Sequence, residues 1–133
     1  MKKVIVKAPA FIAVVTVLLA FNSAPKAIAA GKAITLEGTF QGASCTHYKE
    51  KCYADDAHVA LEHDFVLVLP NGKHYFLPNL RRGIKARHAG QTVRVRGELD
   101  DHAIWVEKLS VKRGNTYQSV WDLKEQKKLY EMR

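Results

Sequence analysis

The chain has 133 residues, of which 26% are charged, and a formal net charge of +8 with the histidines neutral. This length suits one small domain with one modest core and excludes an assembly of several domains. The absence of internal repeats and low-complexity tracts excludes repeat architectures.

The first 29 residues have the three parts of a secretory signal peptide. A lysine-rich start precedes residues 8–21, which are uncharged and mostly apolar, and Ala27 and Ala29 then make a small-residue cleavage signal. We expect cleavage after Ala29. The alternative is an uncleaved membrane anchor, but this run contains Pro9 and is shorter than the roughly 18–20 residues that span a bilayer.

Cleavage would also change the charge balance, because residues 1–29 carry four lysines and no acidic residue. Their removal halves the formal net charge. A modest positive charge suits a soluble exported protein, whereas a domain that grips duplex DNA usually has a denser basic surface. We therefore expect a periplasmic or secreted protein without stable membrane insertion, and we do not expect nucleic acid as its partner.

Two cysteines, Cys45 and Cys52, lie in residues 41–56, a stretch without periodicity. An oxidising compartment favours a disulfide between cysteines this close, so we expect a stapled loop. In the alternative, reduced thiols would bind a metal together with His47.

Alternating and continuous apolar patterns predict the first three strands. Residues 33–40 alternate, as in a half-buried strand, whereas residues 65–69 are apolar throughout, as in a strand covered on both faces. Asn71 and Gly72 supply a tight turn into a return strand at residues 74–77. Pro78 ends that strand, and Asn79 could cap a short helix that stops at Gly90.

The second half of the chain predicts further strands. Residues 92–99 alternate regularly, and residues 104–111 change parity after Val106, so we expect a bulge near Glu107. Residues 117–121 could form a short extra strand. Residues 122–133 are predicted to be a charged, weakly amphipathic tail.

This order of elements resembles an OB fold, a five-stranded barrel with its helix between strands 3 and 4. The run VRVRGELDDHAIWVEKLSV resembles the fourth and fifth strands of many OB domains. The resemblance implies a mainly β chain whose residues 30–121 form a small five-stranded OB-like barrel with one short helix. Other small barrels remain alternatives.

Among exported proteins, the chain resembles the small periplasmic OB-fold proteins of bacteria and, more distantly, the haem chaperone of cytochrome c maturation. In that chaperone, a histidine four residues before a tyrosine bonds covalently to haem. Arg113 holds the histidine position before Tyr117 in this sequence. The resemblance therefore does not extend to covalent haem.

Three aromatic residues, Tyr75, Phe76 and Trp105, are predicted to reach a barrel face. OB domains often stack bases or sugars on such aromatics. Because side chains alternate along a strand, either Tyr75 or Phe76 must face away from the core. The alternative is that these aromatics belong to the core.

The densest basic cluster follows the third predicted strand and consists of Arg81, Arg82, Lys85, Arg87 and His88. On a short helix these side chains could meet phosphate, anionic lipid or an acidic glycan. The alternative is a solvated helix face.

We predict neither a metal site nor a catalytic site. The six histidines show no H-x-H or H-x-x-x-H pair, and the adjacent acids at residues 55–56 and 100–101 suit turns. The serines lie in no nucleophile-elbow pattern. We therefore expect a non-enzymatic binding module with no cofactor and an unidentified ligand. The alternatives are an envelope assembly or protein-interaction partner that uses edge strands and the tail, and a metal or haem carrier.

Overall fold

A computed structural model describes residues 31–133, so the predicted signal peptide and its cleavage site lie outside the described residues. No helix within residues 31–133 is long and apolar enough to cross a membrane. The elements in chain order are β1 (Lys32–Gly42), α1 (Ala43–Tyr48), α2 (Asp56–Leu61), β2 (Phe65–Val68), β3 (His74–Tyr75), α3 (Arg82–Arg87), β4 (Thr92–Asp100), β5 (Ala103–Arg113), β6 (Thr116–Asp122) and α4 (Leu123–Glu131).

The six strands form one antiparallel sheet in the order β3-β2-β1-β4-β5-β6. The long strand β1 lies near the middle and pairs with β4 along most of its length and with β2 at its end. Phe40 of β1 lies opposite Leu67 of β2, and both are fully buried. The alternation predicted for β4 is confirmed, since Val93 and Val95 face the core and Arg96 is exposed.

The mainly β class is confirmed, but the described residues contain six strands and four short helices instead of the predicted five strands and one helix. The extra strand is β6, at the position where the sequence allowed one. Helices α1 and α2 bury none of their own residues, so they have no apolar face that a sequence pattern could reveal. The predicted tail forms α4, whose first turn is capped by the Asp122 carboxylate, which accepts from the Lys124 N–H.

The bulge predicted near Glu107 is confirmed. Arg96 pairs with Lys108, whereas the neighbouring Gly97 pairs with Val106, so Glu107 is the extra residue on β5. The bulge lets both halves of β5 direct apolar side chains to one core. The fully buried residues of this strand are Ile104, Val106, Leu109 and Val111.

The first half of β5 is paired on one side by the chain that leaves β3. The Phe76 N–H donates to the His102 carbonyl at 2.9 Å, and the Ile104 N–H donates to the Phe76 carbonyl at 2.8 Å. These bonds form a parallel bridge between Phe76 and Ala103. They bring the edge of the sheet at β3 next to the start of β5.

Asn79 continues this contact with its side chain. Pro78 has no N–H, so it cannot extend the backbone ladder. The Asn79 amide instead donates to the Val106 carbonyl at 2.7 Å and accepts from the Val106 N–H at 2.8 Å. The prediction that Asn79 caps a helix is therefore wrong, and Arg81 is the residue that precedes α3.

The core lies between the sheet and the segment from β3 to α3. Leu77 and Leu80 enter it from that segment, and Trp121 closes it from β6. The remaining buried members come from the strands and are Phe40, Leu67, Val93, Val95, Ile104, Val106, Leu109 and Val111. Burial of this set supplies the main hydrophobic stabilisation, at about 25 cal/mol for each Å² of apolar surface removed from water.

Candidate functional site

An open groove lies between β3 and the turn that joins β4 to β5. Its volume is about 550 Å³. The lining residues are Lys73, His74, Tyr75, Phe76, Asp101 and His102. Two of the three aromatic residues predicted to bind a ligand, Tyr75 and Phe76, are therefore found together here.

The hairpin between β2 and β3 sets which aromatic side chain is presented to solvent. Gly72 has a φ of 84° in the turn, and the Leu69 N–H donates to the Lys73 carbonyl at 2.8 Å. Tyr75 then packs against the core, and Phe76 is 47% exposed. The prediction that one of the two aromatics faces away from the core is confirmed, and the outward one is Phe76.

The turn between β4 and β5 forms the other wall. Asp101 has a φ of 51°, a left-handed conformation that aspartate tolerates better than most residues. The His102 Nε2 atom lies 3.4 Å from the Asp101 carboxylate, and the His102 backbone is bonded to Phe76. The adjacent acids at residues 100–101 predicted a turn here, but no sequence pattern predicted that this turn would lie next to β3.

Phe76 belongs to a row of exposed rings, here called the aromatic face and consisting of His74, Phe76 and Trp105. The His74 and Phe76 ring centroids are 6.2 Å apart. Phe76 is bridged to Ala103, and Trp105 follows two residues later on the same side of β5. Trp105 does not line the groove, but it is 54% exposed and extends the apolar surface away from it.

The structure separates the predicted basic cluster into side chains with different roles. Lys85 is 2% exposed and forms an ion pair with Asp64, so its ammonium group is closed to a surface ligand. Arg82 donates to the carbonyls of Glu62 and Val59 at 2.8 and 2.6 Å. It thereby holds the end of α2 in place. The idea of one continuous basic helix face does not hold for these two residues.

The other members of the cluster point elsewhere. His88 is buried, and its Nδ1 atom lies 3.3 Å from the Gln91 amide oxygen. Arg87 is exposed at the end of α3. Arg81 is exposed and donates to the Tyr130 hydroxyl at 2.7 Å. Arg81 and Arg87 therefore remain accessible to a ligand.

A second charged cluster, which the sequence did not single out, lies on the outer side of the sheet. The Arg94 guanidinium lies 3.7 Å from the Tyr117 ring centroid and pairs with Glu37. Hydrogen bonds from Arg94 and then from Tyr117 hold the pKa of the Glu37 carboxyl below its usual range. The pKa of Tyr117 is raised, first by burial and then by its bond with Glu37. Cross-strand pairs of this kind stabilise a sheet.

The predicted disulfide is confirmed between Cys45 and Cys52, whose Cα atoms are 5.4 Å apart. Both sulfurs are bonded to each other, so they are not available for the alternative metal site with His47. Asp55 caps α2, and its hydrogen bond with the His58 side chain lowers the pKa of the Asp55 carboxyl. Residues 43–61, here called the disulfide segment, expose three large side chains: Tyr48, Tyr53 and Leu61.

Among residues 31–133, no three His, Cys, Asp or Glu side chains are placed to hold one metal ion. Comparisons of the chain with protein-family models, with curated proteins and with solved structures found no match.

Proposed function

We propose that this chain is an exported, non-enzymatic binding module built on an OB-like barrel, with its ligand resting on the aromatic face. The observation that carries this proposal is the exposure of Phe76 and Trp105 on one side of β5, beside an open groove. Exposed apolar patches rimmed by polar residues often mark ligand-binding grooves. Stacking of a base on such a ring is worth about 1–3 kcal/mol, which sets the scale for a stacked ligand.

The barrel proposal is supported by the contact between β3 and β5. Closing a sheet into a barrel requires an edge strand to meet a strand from the other side of the sheet, and the Phe76 bridge joins the edge strand β3 to β5. The Asn79 amide adds two bonds in the same seam. Helix α3 also lies between β3 and β4, as in an OB domain.

Export is supported by two features. The N-terminal residues have the pattern of a signal peptide, and the disulfide is compatible with an oxidising compartment. In a periplasmic or secreted location the bond between Cys45 and Cys52 would persist, because these compartments are oxidising.

Tryptophan fluorescence provides the test, because Trp105 is exposed and Trp121 is buried. We expect iodide to quench Trp105 and an N-acetylglucosamine oligosaccharide to protect it. Phe76→Ala should weaken protection about tenfold or more, since one stacking contact is lost. The matched control is Tyr48→Ala, which removes an exposed aromatic that does not line the groove. Equal protection in both variants would contradict the proposed site.

A second candidate function is a protein-interaction partner in the cell envelope. The segment around the disulfide favours it, because α1 and α2 bury none of their own residues. Tyr48 of α1, Leu61 of α2 and Tyr53 between the two helices are all exposed to solvent. A chain truncated after Leu123 tests the role of α4 in such a partnership. A small-ligand module should keep its ligand after this truncation, whereas a partner protein that binds α4 should be lost in a pull-down.

A further inference from the structure

A second cleft lies between the start of α3 and the C-terminal helix α4. Its volume is about 240 Å³, and its lining residues are Arg81, Gln126, Leu129, Tyr130 and Arg133. The bond from Arg81 to the Tyr130 hydroxyl spans it. This contact joins two segments that are separated in the chain by β4, β5 and β6.

The two charged side chains that line this cleft, Arg81 and Arg133, are both positive. Neither Arg81 nor Arg133 forms a salt bridge with any residue in the described part of the chain. By contrast, Arg94 and Arg96 are paired with carboxylates, and Arg82 donates to backbone carbonyls. Both guanidinium groups would attract an anion that binds in this cleft.

The hydrogen-bonding groups also match an anion. Arg81 donates one N–H to Tyr130 and keeps other N–H groups for a ligand. Because the Tyr130 oxygen accepts that bond, its own proton remains free to be donated. The Gln126 amide is a further donor on the same helix. Guanidinium forks bind phosphate oxygens in pairs, which a single ammonium group cannot do.

We propose that this cleft is a binding site for a phosphoryl group, held by Arg81 and Arg133 with the Tyr130 hydroxyl. This proposal does not depend on the aromatic face. The phosphoryl group has two possible sources, a free phosphate and a phospholipid headgroup. Leu129 lines the cleft and is 59% exposed, and Met132 is 82% exposed, so a lipid would find apolar contacts beside the charges.

The first test titrates the purified mature protein with inorganic phosphate and follows amide and side-chain NMR shifts. We expect the shifts to centre on α4 and on the residues around Arg81. Arg133→Gln should weaken phosphate binding about tenfold, the effect of one lost charge-assisted contact. Tyr130→Phe keeps the ring and removes the hydroxyl, so it should also weaken binding.

The control is Arg113→Gln, which removes one exposed positive charge at the far end of β5. Arg133 is not part of the Arg81–Tyr130 bond, so its variant leaves that contact in place, and melting curves check that each variant is folded. Equal phosphate binding by the Arg113→Gln and Arg133→Gln variants would overturn the proposal, because it would show only a general response to charge.

Vesicles distinguish the two sources. Sedimentation with phosphatidylglycerol vesicles, but not with phosphatidylcholine vesicles, supports the lipid headgroup if Arg133→Gln abolishes it. Phosphate binding without sedimentation supports a free phosphate or phosphate ester. The absence of both phosphate binding and sedimentation would overturn the proposal.

Discussion

Lys85 shows how burial changes the role of a charged residue. Its place in a run of basic residues predicted an exposed cation, either bound to a ligand or solvated, but its side chain is 2% exposed and its ammonium group pairs with Asp64, which is 45% exposed. A buried charge that keeps its partner is tolerated, whereas a buried charge that loses its partner is strongly destabilising. The two members of the pair are therefore expected to respond differently to substitution.

Asp64→Ala should destabilise the protein more than Lys85→Met does. Loss of the carboxylate leaves a buried ammonium group, at a cost of about 2 kcal/mol after allowance for water that reaches the half-exposed site. Lys85→Met removes the buried charge and keeps much of the volume, so it should cost about 1 kcal/mol or less. Urea unfolding measures both, with Glu98→Ala as the exposed control. A larger loss for Lys85→Met would contradict this account.

The Glu37 carboxyl should titrate below its usual range, because Arg94 and Tyr117 hydrogen-bond to its charged form. A folded pKa below the unfolded value means that Glu37 contributes stability above the unfolded pKa and loses it as the pH falls through the folded pKa. Arg94→Gln should raise the Glu37 pKa, as followed by carboxyl NMR. Arg96→Gln should not, because Arg96 pairs with Glu107. An unchanged Glu37 pKa in Arg94→Gln would be the contrary result.

At the scale of elements, the contact between β5 and the chain that leaves β3, here called the β3–β5 seam, depends on the polar groups of Phe76 and Asn79. Phe76 supplies two backbone bonds, Pro78 has no N–H to donate, and the Asn79 side chain bonds to both polar groups of Val106. Val106 is fully buried, so without Asn79 its N–H and carbonyl would have no solvent to replace the bonds. The order of the sheet alone does not reveal this dependence.

Asn79→Ala should therefore cost about 2 kcal/mol, because two buried backbone groups lose their partners. Asn79→Asp should not restore stability, since a carboxylate can accept from the Val106 N–H but cannot donate to the carbonyl. Chemical denaturation measures the loss, and Asn115→Ala in the exposed turn between β5 and β6 is the control. Equal stability of the Asn79→Ala and Asn115→Ala variants would show that the seam is not held this way.

Across the molecule, the sheet and the disulfide segment are held by different interactions. The sheet covers the apolar core. Helices α1 and α2 bury none of their own residues. They are held by the disulfide, by the Asp55 cap and by the hydrogen bonds from Arg82 to backbone carbonyls at the end of α2. Segments with few buried contacts open locally while the rest of a protein stays folded. We expect the disulfide to control the order of residues 43–61 and not the fold of the sheet.

Replacing Cys45 and Cys52 by serine should lower the free energy of unfolding by at most about 2.5 kcal/mol, the loop-closure value for so short a loop. Hydrogen exchange should become fast in residues 43–61 and stay slow in β4 and β5. A thiol titration of the unaltered protein should find no free thiol. Loss of protection throughout the sheet would contradict this division of the molecule.

Features that depend on near neighbours in the chain could be predicted from the residues alone. Alternation predicted β1 and β4, the change of parity predicted the bulge at Glu107, and the spacing of Cys45 and Cys52 predicted the disulfide. Adjacency also showed that Tyr75 and Phe76 must point in opposite directions. Each of these features follows from backbone geometry over a few residues.

Features that join distant segments became visible only in the folded chain. In the folded chain Phe76 is the outward ring and lies beside the turn at residues 101–102. Lys85 is buried and pairs with Asp64. The Asn79 side chain bonds to Val106 and does not cap a helix. Folding also brought α4 to the start of α3. These contacts depend on which distant segments meet in the folded chain, and the local periodicity of each segment does not identify its partner.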